Sequence, residues 1–120
     1  MLLRHSPDMT VQHNEHMRGS KGTIAVKHLL KSDELFGRGR LFAEITIPPG
    51  ASIGLHPHEQ EIEAFYILEG RGRYQNNDEF FDVEAGDVTV VDDHDRHGIE
   101  NTGDVPLRLI GLILFTADRK

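Results

Sequence analysis

GASIGLHPHEQEIEAFYILEG, residues 50–70, brings two histidines and three glutamates together within the eight residues 56–63. His56 and His58 are two residues apart, so an extended backbone points both imidazoles to one face, which is the spacing that a pair of metal ligands needs. Pro57 cannot donate to a sheet ladder, which places the pair at a strand end or a bulge. Glu63 follows His58 by an odd number of residues, so the chain must bend before Glu63 can join the same site.

A second block, GDVTVVDDHDRHGIEN over residues 86–101, repeats the order of turn glycine, apolar strand, polar turn and histidine. Around both blocks, short apolar runs alternate with turns at regular intervals, which predicts an all-β sandwich or barrel built from hairpins. The predicted strands are Thr23–Leu30, Leu41–Ile47, Ile62–Leu68, Glu79–Val83, Asp87–Val91, His97–Asn101 and Pro106–Phe115. One helical turn is expected over Ser32–Leu35, with Ser32 as its cap.

The composition describes one small globular domain and excludes several classes of protein. The 120 residues include 13 Lys+Arg, 20 Asp+Glu, 8 His and no Cys, for a formal net charge of −7. The missing cysteines exclude disulfides and thiolate chemistry, and the negative charge argues against nucleic-acid binding. The longest mainly apolar stretch, Leu107–Phe115, is far shorter than the roughly 20 residues that span a bilayer. With no apolar region of signal-peptide type at the N-terminus, we expect no membrane partner and a cytoplasmic location.

The two blocks resemble the two sequence motifs of the cupin superfamily. Five residues match the first motif at its spacing, namely Gly50, His56, His58, Glu63 and Gly70. Three residues match the second motif, namely Gly86, His97 and Asn101. The second block departs from the family pattern at Asp92 and His94, where the family has proline and glycine, and this difference concerns the turn rather than the ligand positions.

The resemblance implies a double-stranded β-helix, which is a small jelly-roll barrel, with one divalent metal ion inside it. The ligands that the resemblance implies are His56, His58, Glu63 and His97. Three imidazoles and one carboxylate suit Mn, Fe, Co, Ni, Cu or Zn, so the identity of the metal stays open. Four protein ligands on an octahedral ion would leave two positions for water, dioxygen or a chelating ligand.

The chain is expected to divide into an N-terminal arm, residues 1–22, and a cupin barrel, residues 23–120. The arm is polar and shows neither a helical nor a strand period. The spacing of His5, His13 and His16 fits no compact ligand set, so we expect these side chains in solvent. By family resemblance a homodimer is expected, and the arm is a candidate to pair with a neighbouring subunit's sheet.

Other side chains are candidates for the pocket or for the surroundings of the metal. Phe65 and Ile67 share the parity of Glu63 and should face the barrel interior, where Phe65 either shapes a substrate pocket or only packs the core. Glu44 would contribute a polar group to the site if it faced the interior. His94 is either a group near the site or an exposed turn residue, and the exposed position is favoured.

For several other charged or titratable side chains, we favour a solvent-exposed position over a role in the site. Glu59 and Glu61 are candidates for lid carboxylates that act as acid or base, but a run of this composition is more typical of a solvated turn. His28 lies in an alternating strand and is expected on its solvated face. Arg71 and Arg73 are candidates to clamp a carboxylate, with solvated positions favoured.

Two classes of function remain. The first is a metal-dependent enzyme acting on a small carboxylate or another oxygen-rich metabolite, and here the chain resembles short single-domain bacterial cupins likened to oxalate decarboxylase. The lid glutamate motif of two-domain oxalate decarboxylases is not found, and a dioxygenase would use the same metal ligands. The second class is a non-catalytic protein that binds a small acid or sugar through the metal. Turnover separates the two classes, and we favour the enzyme.

Overall fold

The computed structural model describes residues 1–116, which form ten β-strands and three short 3-10 helices. The strands are β1 (Val11–Glu15), β2 (Thr23–Leu30), β3 (Gly39–Ile47), β4 (Ser52–Pro57), β5 (Glu61–Glu69), β6 (Arg71–Asn76), β7 (Glu79–Glu84), β8 (Val88–Val91), β9 (Arg96–Asn101) and β10 (Leu107–Phe115). The 3-10 helices are Ser6–Asp8, Met17–Gly19 and Ser32–Leu35. Within residues 1–116, no helix is long and apolar enough to cross a membrane.

The strands form two antiparallel sheets that face each other. The larger sheet has the order β1-β2-β3-β10-β5-β8, and the smaller has the order β4-β9-β6-β7. β10 pairs with β3 on one side and with β5 on the other, so the last strand lies in the middle of the larger sheet. This arrangement confirms the predicted all-β fold, a double-stranded β-helix of the jelly-roll type.

Alternate side chains of the two sheets meet in a single apolar core. The larger sheet contributes Ile24, Val26, Ala43, Ile45, Ile47, Phe65, Ile67, Leu107 and Leu109. The smaller sheet covers them with Ile53, Tyr74, Val83 and Ile99. Full burial of one large apolar side chain stabilises the fold by about 1.5–3 kcal/mol, so this alternation fixes which face of each strand points inward.

The structure confirms all seven predicted strands within two residues at each end. Three further strands, β1, β4 and β6, were not predicted. β6 is polar apart from Gly72 and Tyr74, and β1 buries no side chain, so neither shows a clear period of two. The predicted helical turn is a 3-10 helix whose cap is Lys31 rather than Ser32, with the Lys31 N–H donating to Glu34 Oε1 at 2.6 Å.

The first residues of the chain pack against their own barrel. β1 pairs with β2 from Val11 opposite Lys27 to Glu15 opposite Thr23. Nearer the N-terminus, the Arg4 guanidinium donates two hydrogen bonds to the Glu34 carboxylate, at 3.0 and 2.7 Å. These contacts bring the segment before residue 22 onto the larger sheet, and the domain boundary at that residue stays a prediction.

Candidate metal centre

Three strands bring four donor side chains together inside the barrel. His56 lies in β4, His58 directly after it, Glu63 in β5 and His97 in β9. All four residues are buried, and one potential ligand atom from each lies within 4.8 Å of the others. The structure therefore juxtaposes the four residues that the sequence motifs single out.

A bulge in β4 turns the histidines inward. β4 and β9 are in register at Ile53 and again at His56, but β4 takes three steps between these positions and β9 only two. The extra residue reverses the alternation of side chains along β4. As a result, Ile53, His56 and His58 are all buried, although their numbers differ in parity.

A tight bend after His58 reverses the alternation a second time. Gln60 has a left-handed backbone conformation, with φ of 58°, and its N–H donates to the Asp93 carboxylate. β5 begins at the next residue, with Glu61 and Glu63 both facing inward. The bend that the sequence requires between His58 and Glu63 is therefore confirmed.

The donor atoms are spaced as neighbouring ligands of one ion would be. Glu63 Oε1 lies 3.0 Å from His58 Nε2, 2.9 Å from His97 Nε2 and 4.0 Å from His56 Nε2. His58 Nε2 and His97 Nε2 are 3.2 Å apart. Two ligand atoms at right angles, each about 2.1 Å from an ion, are about 3.0 Å apart. Three of the four separations thus fit adjacent positions around one divalent ion.

The other nitrogen of each imidazole has a partner outside the cluster. These contacts are His56 Nδ1 to the Gly54 carbonyl oxygen at 2.7 Å, His58 Nδ1 to Glu61 Oε1 at 2.7 Å, and His97 Nδ1 to the Tyr74 hydroxyl at 2.8 Å. Carbonyl and carboxylate oxygens only accept, so the neutral rings of His56 and His58 carry their proton on Nδ1. Their Nε2 atoms then present lone pairs towards the cluster, and outer partners of this kind orient metal-bound histidines.

This proton arrangement makes the cluster fit a metal ion. The Nε2 lone pairs of His56 and His58 point towards Glu63, whose carboxylate also only accepts. Acceptors that converge in a buried space need a cation among them, which is either a proton or a metal ion. Three imidazoles and one carboxylate are a donor set that divalent transition metals accept, so the residues present fit such an ion.

Burial and hydrogen bonding set the charges of the cluster. Burial lowers the pKa of His56 to about 4, so this ring is neutral at pH 7. Burial also acts to lower the pKa of His58, but hydrogen bonds with Glu63 and Glu61 outweigh it and raise that pKa. Burial acts to raise the pKa of Glu63, whereas hydrogen bonds with His58 and His97 lower it to about 2. Glu63 is therefore an anion at neutral pH.

Arg40 holds the Glu61 carboxylate against His58. Arg40 Nε donates to Glu61 Oε2 at 2.9 Å, and Nη2 donates to Oε1 at 2.7 Å. Burial acts to raise the pKa of Glu61, but the hydrogen bonds with Arg40 and His58 outweigh it and lower the pKa. The solvated-turn interpretation is thus wrong for Glu61, which is buried behind the cluster, while Glu59 is exposed as expected.

A cavity of about 280 Å³ opens onto the cluster at His56, His58 and Glu63. Its apolar wall consists of Val26, Leu41, Ile45, Ile53, Phe65 and Ile113. Its polar lining residues outside the cluster are Gln12, Asn14, Arg18, His28 and Arg40, and Met17 also lines it. A molecule that enters this cavity would therefore meet both apolar and polar side chains beside three of the four donor residues.

The structure separates the other candidate residues. Phe65 lines the cavity and stacks on His97, with ring centroids 5.0 Å apart and planes at 21°. Ile67 is fully buried in the core and is not among the cavity-lining residues. Glu44 lies outside the cavity and forms an ion pair on the outer face, because the odd-numbered residues of β3 point inward. His94 is an exposed turn residue with φ of 75°, so it does not contribute to the cavity.

Sequence reasoning missed His28 and Tyr74. His28 lines the cavity, so its expected position in solvent is wrong. The parity that it shares with the buried Ile24 and Val26 indicates the inward position. Tyr74 lies on the unpredicted strand β6, where burial raises the pKa of its hydroxyl to about 12 and keeps it protonated.

The three histidines of the first 22 residues lie outside the cluster. His5, His13 and His16 are exposed, as expected. Among residues 1–116, the group of potential metal ligands includes none of them.

Comparison with known proteins agrees with the fold. The cupin domain family matches residues 43–114. The chain is 40% identical over 115 residues to an oxalate-binding protein of Thermotoga maritima, covering 96% of this chain and 94% of that protein. It is 36% identical over 91 residues to an uncharacterized protein of Methanocaldococcus jannaschii, covering 76% of this chain and 73% of that protein. The crystal structure of a predicted oxalate decarboxylase from Thermotoga maritima matches with a TM-score of 0.90 and 40% identity, over 96% of this chain and 99% of that chain. The chain therefore belongs to the cupin family.

Proposed function

We propose that this cupin holds a divalent transition metal on His56, His58, Glu63 and His97 and binds a small carboxylate at that metal. The observation that carries the proposal is the convergence of these four buried side chains beside a cavity of about 280 Å³. That volume equals about nine water molecules at roughly 30 Å³ each, which suits a small ligand.

The charge of the site favours an anionic ligand. A divalent ion beside the single carboxylate of Glu63 leaves a local charge of about +1, although the chain carries a net charge of −7. A bound ion would supply a Lewis acid that polarises carboxylate oxygens. The names that the Thermotoga maritima matches carry, oxalate-binding protein and predicted oxalate decarboxylase, support a small carboxylate as the ligand.

A decarboxylase-like or dioxygenase-like reaction at the same centre is the second candidate function. Decarboxylation of oxalate breaks its C–C bond, releases CO₂ and needs one proton at the remaining carbon to give formate. His28 favours this candidate, because it is the one imidazole among the described cavity-lining residues outside the cluster, and imidazoles transfer protons near neutral pH. Its Nε2 lies 3.2 Å from Gln12 Oε1 on β1.

Calorimetric titration of Mn²⁺-loaded protein with oxalate tests the proposed function. We expect one oxalate per chain. In a separate denaturation experiment, oxalate at 100 times its Kd should raise the free energy of unfolding by about 2.7 kcal/mol. Protein stripped by a chelator should lose this binding, because the ion supplies the positive charge. Formate release would assign the decarboxylase reaction, and oxygen consumption the dioxygenase reaction. Failure of the metal-loaded protein to bind oxalate would contradict the proposal.

We also propose that the chain forms a homodimer through the outer face of the larger sheet. Antiparallel sheets that face water carry polar residues on that side. Here four adjacent strands present apolar residues in paired positions, namely Val88, Val90, Tyr66, Ala64, Ile110, Leu112 and Phe42. Contiguous apolar patches of this kind mark interaction sites, and a two-fold axis would let one copy cover the same patch of another.

Light scattering of Val90→Asp tests the dimer. Val90 is 52% exposed in the single chain, so its replacement spares the core but places a charge in the proposed interface. We expect twice the chain mass for the parent and the single mass for the variant. Val11→Asp on β1, where Val11 is 46% exposed, is the matched control and should remain a dimer. A monomeric parent would contradict the proposal, and loss of the dimer only in the control would move the interface to the N-terminal arm.

A further inference from the structure

The N-terminal segment contributes an arginine to the wall of the cavity. β1 supplies Gln12 and Asn14, and the following 3-10 helix supplies Met17 and Arg18. The apolar wall and the four donor residues come from the barrel itself. Three of the four arginine and amide side chains that line the cavity, Gln12, Asn14 and Arg18, therefore come from residues before the barrel's first predicted strand.

Among residues 1–116, Arg18 is the cavity-lining arginine for which no carboxylate lies within ion-pair distance. Arg40, the other cavity-lining arginine, is bound through two hydrogen bonds to Glu61. In the described part of the chain, no carboxylate lies within ion-pair distance of Arg18, which is exposed to solvent. The guanidinium of arginine presents a planar fork of donors that matches a carboxylate. An arginine without a carboxylate partner beside a cavity can therefore bind an anion that enters the cavity.

The backbone around Arg18 is fixed by close packing. Arg18 has a left-handed conformation, with φ of 59° and ψ of 38°, which costs about 1–3 kcal/mol for a residue other than glycine. Its carbonyl oxygen packs so closely on Gly54 that a Cβ at that position would lie 2.1 Å from it. Met17 packs against the core, and the Ser52 N–H donates to the Lys21 carbonyl at 3.0 Å. The surroundings therefore hold Arg18 in a strained position at the cavity.

We propose that Arg18 binds the part of an anionic ligand that the metal does not neutralise, and thereby selects dicarboxylates over monocarboxylates. This inference rests on the proposed carboxylate function. The cluster has a charge of about +1 when a divalent ion is present, which balances one carboxylate. A second carboxylate needs a further cation, and Arg18 supplies it from the N-terminal segment. The substrate class is thus a small dicarboxylate, with oxalate as the shortest member.

The test compares oxalate with glycolate, which keeps one carboxylate and replaces the other with a hydroxymethyl group. In Mn²⁺-loaded protein, Arg18→Gln should raise the Kd for oxalate by about 10- to 100-fold, the cost of losing a charge-assisted hydrogen bond. The Kd for glycolate should change much less, so the preference for oxalate falls. Arg18→Lys keeps the charge without the fork and should give an intermediate loss. Arg71→Gln removes one positive charge outside the cavity and serves as the matched control.

Metal content and melting temperature of each variant separate recognition from damage to the site. The metal content and the melting temperature of Arg18→Gln should equal those of the parent. The ion pairs of Glu63 with His58 and His97 do not involve Arg18, so the substitution leaves them intact. An unchanged Kd for oxalate, an equal loss for both ligands, or a loss of metal would each overturn the role of Arg18 while the proposed function stands. Failure of oxalate to bind the metal-loaded parent would overturn the proposed function and this inference with it.

Discussion

Replacement of His58 by alanine should reduce bound metal from about one ion per chain to background. His58 is 2% exposed, and its Nε2 lies within 3.2 Å of both Glu63 Oε1 and His97 Nε2. Loss of a single outer partner of a metal ligand already costs 10- to 100-fold in affinity, so loss of a ligand should cost more than about 100-fold. Elemental analysis of protein purified without added metal, and again after Mn²⁺ loading, measures the effect.

The matched control for this experiment is His13→Ala. His13 is an exposed histidine on β1, so its removal should leave the metal content unchanged. His58→Gln keeps a polar side chain in the buried position and guards against a variant that loses metal because it fails to fold. Equal metal in parent and His58→Ala would contradict the proposed centre, and a loss in His13→Ala would place the metal at the N-terminal segment.

Replacement of Phe65 by alanine should destabilise the protein by about 3–5 kcal/mol. Phe65 is 1% exposed, is among the largest fully buried side chains and stacks on His97. At roughly 4 °C per kcal/mol for a domain of this size, the melting temperature should fall by about 12 °C or more. The wider cavity should also weaken metal binding, because the His97 ring loses the surface that orients it. Thermal denaturation followed by circular dichroism measures the first effect.

Phe81→Ala provides the matched control for Phe65. Phe81 also lies on a strand, but it is 48% exposed, so the same truncation should cost less than about 1 kcal/mol. If the two variants melted at the same temperature, Phe65 would not have the central packing role that its burial indicates.

The sequence predicts the strands that have a clear alternation and misses those that lack one. β5 reads as alternating from Glu61 to Ile67, and the structure buries every second residue in it. β1 offers no such pattern, because a strand at the edge of a sheet with no buried residue needs no apolar face. Its position depends on backbone pairing with β2, which composition does not reveal.

The four-residue cluster is predictable from motif spacing, but its geometry is not. Counting residues along an extended strand puts His56 on the face opposite Ile53, and Glu63 on the face opposite His58. The bulge in β4 and the left-handed Gln60 each reverse the alternation once, so all of these side chains meet inside. Backbone irregularities of this kind depend on the partner strand, which local sequence does not specify.

The outer contacts of the site depend on residues far apart in sequence. Arg40 reaches Glu61, and Tyr74 reaches His97, across different strands. The sequence alone does not show which strands pair, so it gives no sign that Arg40 and Tyr74 support the site. Arg18 is further removed, because its position depends on a strained turn that packs on Gly54.

The edge position of β1 has a consequence for how molecules enter and leave the barrel. Within residues 1–116, β1 buries no side chain and pairs with no strand other than β2, so its detachment costs far less free energy than opening the core. Local unfolding of this one strand would carry Gln12 and Asn14 away from the cavity while the four donor residues stay in place. Amide hydrogen exchange should therefore be fast in residues 11–15, slow in β5 and β10, and slower in residues 11–15 when a ligand fills the cavity.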